Sequence, residues 1–440
     1  MTLAAALALP AQAQVFEITP VLLPGTPLPL PGTPSVGAIQ GYQENAAGQL
    51  GFGAILAPGP PTDGVFRRTG ETIETIALPG DEAPGTGGRT FGAVYFAGID
   101  ASGDVFLLGN GCDEVPTGGW VCFEGLYRAT PGGLAPIALD GQAAPGTGGR
   151  TFANPFSPIA SSPSGHVAFG ASLRGVGTSP IGGLFLAGSG TLAPLALEGD
   201  PAPGTGQAFA AFPLHPLGVN SAGEVVFTAI FQWNPLRKGV FLRSDGALRV
   251  VALPGWAAPG GGTFTNVGQS QALDEDAKVA FDASIDGQAG AGVFVDSAGV
   301  LRTVARSGQP IPGTDAVFEK VQDPVIHAGA VAFNAYGDDP ADPSGIFREV
   351  DGTLVSVALD GMQAPLGVGG TLHGVWGPTF TPSGDILFVA AFGEPASPYG
   401  VFRARLAPQV PALGVPGHAV AAALLCASGV WLAQRRPRRA

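Results

Sequence analysis

Phe209 to Phe264 reads FAAFPLHPLGVNSAGEVVFTAIFQWNPLRKGVFLRSDGALRVVALPGWAAPGGGTF. Turn signals divide it into four apolar runs. The first is Ala210 to Gly218. Asn220-Ser-Ala-Gly223 then fits a type I turn, with Asn at the first position and Gly at the fourth. Glu224 to Ile230 alternates with the two-residue period of a strand and carries Phe227. A variable loop leads to a third run, Gly239 to Arg243. Ser244-Asp-Gly246 is a tight hairpin signal, and Leu248 to Leu253 is the fourth run. A connector of about ten residues, rich in Pro and Gly, leads out. Four antiparallel strands with one long connector make the blade of a β-propeller.

The unit recurs seven times. Its second strand reads Gly48-Gln-Leu-Gly-Phe52, Gly103-Asp-Val-Phe-Leu107, Gly165-His-Val-Ala-Phe169 and Gly223-Glu-Val-Val-Phe227 in the first four copies. Ala277-Lys-Val-Ala-Phe281, Gly329-Ala-Val-Ala-Phe333 and Gly384-Asp-Ile-Leu-Phe388 complete the set, at steps of 55, 62, 58, 54, 52 and 55 residues. A period of this size means one supersecondary unit arrayed many times. The third strand opens with Gly-x-aromatic at Gly64, Gly125, Gly183, Gly239, Gly292, Gly345 and Gly400. Ala83–Phe91 and Ala144–Phe152 are the same nine residues, APGTGGRTF, which points to duplication.

The expected fold is therefore all-β, a seven-bladed β-propeller of four-stranded blades of about 55 residues, with a solenoid as the alternative. The predicted blades are about 36–79, 91–139, 151–198, 208–253, 263–306, 317–359 and 371–406. The seventh lacks a fourth strand at its end of the chain. Phe16 to Pro24 reads as that missing strand, so an N-terminal strand (15–23) is expected to close the last blade within a propeller spanning 14–406. Adding Gly25 to the connector glycines gives the series 25, 80, 141, 199, 255, 308, 361.

Composition excludes some functions. The net charge of −13 and the presence of only three lysines, Lys238, Lys278 and Lys320, argue against nucleic acid as a partner. The 70 glycines and 42 prolines punctuate strands rather than signal disorder, because 45% of residues are hydrophobic and recur at fixed repeat positions.

The two ends suggest an address. Residues 1–13 read as a signal peptide ending in Ala11-Gln12-Ala13, without a basic start; a true start lying upstream is the favoured reading and a weak signal the alternative. Beyond a linker at 407–418, Ala419 to Ala433 is an apolar run read as one C-terminal membrane helix within 419–440. Arg435, Arg436, Arg438 and Arg439 follow it and hold that end in the cytoplasm. Cys112 and Cys122 are ten apart in one loop and are expected to form a disulfide in an oxidising compartment; two free thiols are the alternative.

The Pro-led motif, apolar helix and Arg cluster together resemble the PEP-CTERM class of bacterial sorting tails. Val410-Pro411-Ala412-Leu413 stands where Pro-Glu-Pro would be, closer to the IPTL-type tails. The resemblance implies processing of the tail by an exosortase-type membrane enzyme and sorting to the cell surface, with a plain membrane anchor as the alternative. The repeats resemble bacterial surface proteins with tandem NxxGxxAF repeats. Asn45 to Phe52 and Asn220 to Phe227 carry the motif's Asn and Gly, while Asp100, Ser162, Asp274 and Thr381 stand in for the Asn and Ile326 departs from it. That resemblance implies no defined activity.

No chemical motif stands out. His166, His215, His327, His373 and His418 fall at unrelated repeat positions, so no catalytic triad or metal set is read, and no cofactor is expected. Candidate binding residues lie in the variable second-to-third loops and connectors, which share one face of a propeller. They are Trp120, Trp233, Arg237, Lys238, Trp256, Asp338, Asp339 and Asp342. The expectation is an exported, surface-sorted binding module for a glycan or matrix protein. The alternative is a secreted hydrolase or lyase on the same scaffold.

Overall fold

In the computed structural model of the protein, the repeats become seven antiparallel sheets. The structure describes residues 16–407 apart from 59–61, 116–118, 155, 176–177, 189, 214, 232–237, 338–343 and 394–398. Every regular element among the described residues is a strand. The first blade runs Ser35–Glu44, Leu50–Ala57, Asp63–Thr69 and Thr72–Ala77, in that spatial order. The fifth is Phe264–Leu273, Val279–Ile285, Gln288–Ser297 and Val300–Arg306, and the sixth is Phe318–His327, Ala330–Gly337, Gly345–Val350 and Thr353–Leu359. In the seventh, Leu372–Phe380, Ile386–Phe392 and Gly400–Leu406 are joined at the outer edge by Phe16–Leu22. The N-terminal strand thus completes the last blade, as expected.

The fourth blade corrects one detail. Its inner strand was predicted over Ala210 to Gly218 but is only Gly218–Val219, with an isolated bridge between Ala211 and Ile230. Pro213 and Pro216 cannot donate to a ladder, which leaves that stretch irregular.

The repeat signature has a packing cause. Phe52 pairs across strands with Phe66, Phe169 with Phe185, Phe227 with Phe241, Phe281 with Phe294, Phe333 with Phe347 and Phe388 with Phe402. Their centroids lie 5.4–6.1 Å apart. Such pairs contribute about 0.5–1.5 kcal/mol each beyond burial. The third-strand glycine is required because the aromatic two residues on folds back over it. A Cβ on Gly64 would lie 2.7 Å from the Phe66 ring, and one on Gly292 2.6 Å from Phe294.

The apolar cores form between neighbouring blades. One joins Val226 and Val240 of blade four to Phe264 and Phe281 of blade five. Another joins Leu22, Leu387 and Val401 of the closing blade to Phe52 and Phe66 of the first.

Turn chemistry links the blades as well. Asn45 Oδ1 accepts the N–H groups of Ala47 and Gln49 at 3.0 Å, and its Nδ2 donates to the Asp100 carbonyl in the next blade at 2.9 Å. Asn220 repeats this toward Asp274 at 3.2 Å. The sixth blade departs because its turn is a two-residue hairpin, with Ala328 and Gly329 both at positive φ and His327 paired with Ala330. On the opposite face, the connector glycines 25, 80, 141, 199, 255, 308 and 361 each donate an N–H to a carbonyl at the next inner strand, at 2.7–2.9 Å.

The leader 1–13, Val410, Pro411, the apolar run 419–433 read as a C-terminal helix, and Arg435, Arg436, Arg438 and Arg439 all lie outside the described residues.

Candidate functional site: the central channel

The inner strands surround a channel of about 570 Å³, lined in part by Gln43, Ser270, Asp323, Asn334 and Trp376. A second cavity of about 340 Å³ opens among the first-to-second-strand turns, beside Glu44, Glu275 and His327.

Bulges in the inner strands aim side chains into the channel. In blade seven the pairing register slips twice, on either side of Trp376. Gly374 and Gly377 supply the positive φ angles those slips require, +55° and +68°. Each bulge is tied to a different neighbour. Asp360 Oδ1, from blade six, accepts the Val375 N–H at 2.8 Å, and Tyr42 Oη, from blade one, donates to the Gly377 carbonyl at 2.7 Å. Trp376 is therefore held in the wall with 51% of its surface exposed. Tyr399 stands edge-on to it, with centroids 6.4 Å apart and planes at 80°.

Asp323 sits in the equivalent bulge of blade six, at φ +51°. Its carboxylate accepts from Ser270 Oγ at 2.8 Å, Gln322 Nε2 at 2.9 Å and Asn334 Nδ2 at 3.3 Å. Asn334 is only 3% exposed, and its Oδ1 has no hydrogen-bond partner.

A buried polar row runs from this wall into the blades, with Asn334 at its channel end. The position after the signature aromatic is Gly53, Leu108, Gly170 and Val389 in four blades but Thr228, Asp282 and Asn334 in blades four to six. Thr228 Oγ1 reaches the Gly268 carbonyl and Gln271 Oε1, both at 2.9 Å. Asp282 Oδ1 accepts the N–H groups of Gln269 and Ser270 at 2.8 and 2.9 Å, which fixes the bulge presenting Ser270. Burial pushes the Asp282 carboxyl up to about 6, with Asp323 adding to the rise. Next to it, burial and then the Lys238 ammonium bring His215 down to about 4. Lys238 Nζ lies 3.1 Å from His215 Nε2, and burial lowers its own pKa below the usual range.

The loop-face residues expected from sequence scatter. Trp120 is 67% exposed beside the Cys112–Cys122 disulfide, which bridges directly opposed residues of blade two. Trp256 is 39% exposed in the connector leaving blade four, two blades away. Lys238 is buried, 5% exposed, and serves the polar row rather than a surface patch. Trp233, Arg237, Asp338, Asp339 and Asp342 lie outside the described residues. Among the described residues, no cluster of three or more His, Cys, Asp or Glu side chains could hold a metal.

Sequence reading passed over Asp323, Asn334 and Trp376. Aligning the residue after the signature aromatic would have exposed the row at Thr228, Asp282 and Asn334. The glycines around Trp376 signal a bulge only once its strand is paired.

A comparison with curated protein sequences finds no match. Among solved structures, the chain is similar to the β-propeller domain of the trilobed protease from Pyrococcus furiosus, described as having an open velcro topology. The identity is 8%, over 86% of this chain and 100% of that one, with a TM-score of 0.46. It is similar to the polysaccharide lyase Uly1 at 12% identity, over 83% of this chain and 88% of that one, TM-score 0.41. The Dos1 propeller matches at 9% identity, over 89% and 94%, TM-score 0.41. A family profile matches from the closing strand into the sixth blade, residues 21–342, and the chain accordingly belongs to DUF7453, a family of unknown function.

Proposed function

We propose that the protein is an exported propeller that binds its ligand rather than transforming it, and that the C-terminal tail sorts it to the cell surface. The observation that carries the binding reading is Trp376. A large apolar ring half-exposed inside a cavity, with its backbone tied on both sides, is a preorganised contact surface. The tail motif at Val410 and Pro411, the apolar run and the four arginines support export, membrane insertion and handling by an exosortase-type enzyme.

A second reading, a hydrolase or lyase, draws on Asp282 and Asp323, two carboxylates bridged through Ser270, one of them raised to about 6. Asp282 does not line the channel and its carboxylate serves the backbone of the bulge, so binding is the stronger reading.

The full chain on glycan and peptide arrays, run beside a hydrolase and lyase panel, separates the two. Retention without turnover is expected; turnover without retention overturns the reading. For the tail, a surface species shorter by about the length of the tail is expected by intact mass. Full-length protein remaining in the inner membrane of a host with an active sorting enzyme overturns sorting.

A further inference from the structure

We propose that the channel wall at the junction of blades six and seven is a binding site for a neutral pyranose sugar, stacked on Trp376 and hydrogen-bonded through its hydroxyls to Asn334 and Asp323. The proposal rests on the binding reading above and names the ligand class for this part of the channel.

Three features of the wall select that chemistry. The first is the number of open aromatic faces. Trp376 and Tyr399 are 51% and 43% exposed but lie at 80° to one another. A flat ligand can lie parallel to one of those rings, not both. The corner therefore suits a single ring with an apolar face and is not the multi-sided cage that encloses a quaternary ammonium. The C–H face of a pyranose is such a surface.

The second feature is the pattern of donors and acceptors. Asn334 is 97% buried by area, lines the channel, and leaves Oδ1 unpaired. Its orientation is fixed chemically, since only Nδ2 can face the Asp323 carboxylate at 3.3 Å. An orphaned buried acceptor of this kind is costly unless a ligand or water donates to it. Asp323, which lines the channel beside it, is also an acceptor. The wall thus calls for a ligand rich in O–H donors. Three neutral donors already satisfy much of the Asp323 carboxylate, so a cationic ligand is not required.

The third feature is room and rigidity. A channel of about 570 Å³ falls in the ~300–1,000 Å³ range of small-molecule sites. Bonds from Asp360 and Tyr42 fix the bulges that carry Trp376, and Asp282 fixes the one that carries Ser270. Little ordering is left for the ligand to impose.

The test is calorimetric titration of the full chain, in a sugar-free detergent, with neutral hexaoses of β-1,4-glucose, β-1,4-mannose and α-1,4-glucose. Choline and a peptide array run in parallel. At least one hexaose is expected to bind with a Kd below ~1 mM. Trp376→Ala should weaken it about tenfold or more, because stacking is lost while a half-exposed side chain leaves folding intact. Asn334→Leu should weaken it comparably, and Val300→Ala, at an exposed position in the outer strand of blade five, should leave it unchanged. An unaltered melting midpoint for Trp376→Ala keeps the result interpretable if Asn334→Leu misfolds. Failure of all three hexaoses, hexaose binding indifferent to Trp376→Ala, or choline binding that Trp376→Ala abolishes each overturns the sugar site. Peptide binding without hexaose binding overturns the sugar site and leaves the binding reading standing. Hexaose cleavage with no detectable complex overturns both.

Discussion

Tyr42 Oη donates a 2.7 Å hydrogen bond to the carbonyl of Gly377, a residue 335 positions away. The bond crosses the seam where the first and last blades meet and fastens the bulge beside Trp376. Burial pushes the Tyr42 phenol well above its ordinary range, so it stays a donor across the physiological scale. Tyr42→Phe leaves the Gly377 carbonyl without its donor, at a cost of about 1–3 kcal/mol. Urea midpoints of the two proteins check it, and an unchanged midpoint refutes a closing role for the bond.

The outer edge of the same seam depends on Phe16–Leu22. Phe16 and Leu22 are 8% and 1% exposed, Arg68 of the first blade donates to the Val21 carbonyl, and Arg403 pairs with Glu44 across the join. Removing Phe16 to Pro24 bares the edge of Gly400–Leu406 and loses two buried apolar side chains, about 1.5–3 kcal/mol each, plus a ladder. The whole ring, not one blade, should melt earlier. A truncated protein with the parent's midpoint would contradict a ring closed by that strand.

The blades were legible because their period is set by residues that meet locally: Phe227 and Phe241 face each other across one hairpin, and their spacing is visible in the chain. The closing strand was legible by counting, since seven third strands met only six fourth strands. The channel was not. Asp323 and Asn334 meet within one hairpin, but Trp376 joins them only when blade seven packs against blade six, and Asp323 and Trp376 stand in inner strands whose register slips. Lys238 misled for a related reason. A lysine beside a variable loop reads as surface, yet here His215 receives it in the interior.

Tyr127 occupies the place held by phenylalanine in the other six blades. It is fully buried, its Oη has no partner, and burial raises the phenol to about 12. Tyr127→Phe keeps the edge-to-face contact with Phe91, 5.1 Å between centroids, and removes a desolvated hydroxyl. A stabilisation of about 1–2 kcal/mol is expected. Destabilisation would mean the hydroxyl has a partner in solution.

The Cys112–Cys122 bridge closes a stretch with sequence separation 10, for which loop entropy gives on the order of 2–3 kcal/mol. The two residues already oppose each other in the ladder, so the effect should concentrate in that hairpin. Replacing both with Ser should speed hydrogen exchange from Val105 to Thr130 while other blades stay protected. Uniform acceleration over all blades would instead make the bridge a global restraint.

Asp282 and His215 oppose one another on acidification. Between pH 6.5 and about 4 the unfolded chain takes up the His215 proton and the folded one does not, so acid destabilises. Between about 6 and 3.8 the folded chain holds the Asp282 proton and the unfolded one does not, so acid stabilises. Over most of that range the two slopes offset. Asp282→Asn preserves an oxygen for the N–H groups of Gln269 and Ser270 and removes one slope. At pH 7 the variant should be more stable, by roughly 1–3 kcal/mol, because the buried carboxylate is charged there, less whatever Lys238 loses with its counter-charge. Below pH 6.5 it should lose stability steadily where the parent stays nearly flat. Denaturant midpoints at pH 7, 6, 5 and 4 decide it: parallel profiles for the two proteins would show that Asp282 titrates alike in both states, and that the row running in from the channel is wetter than its burial implies.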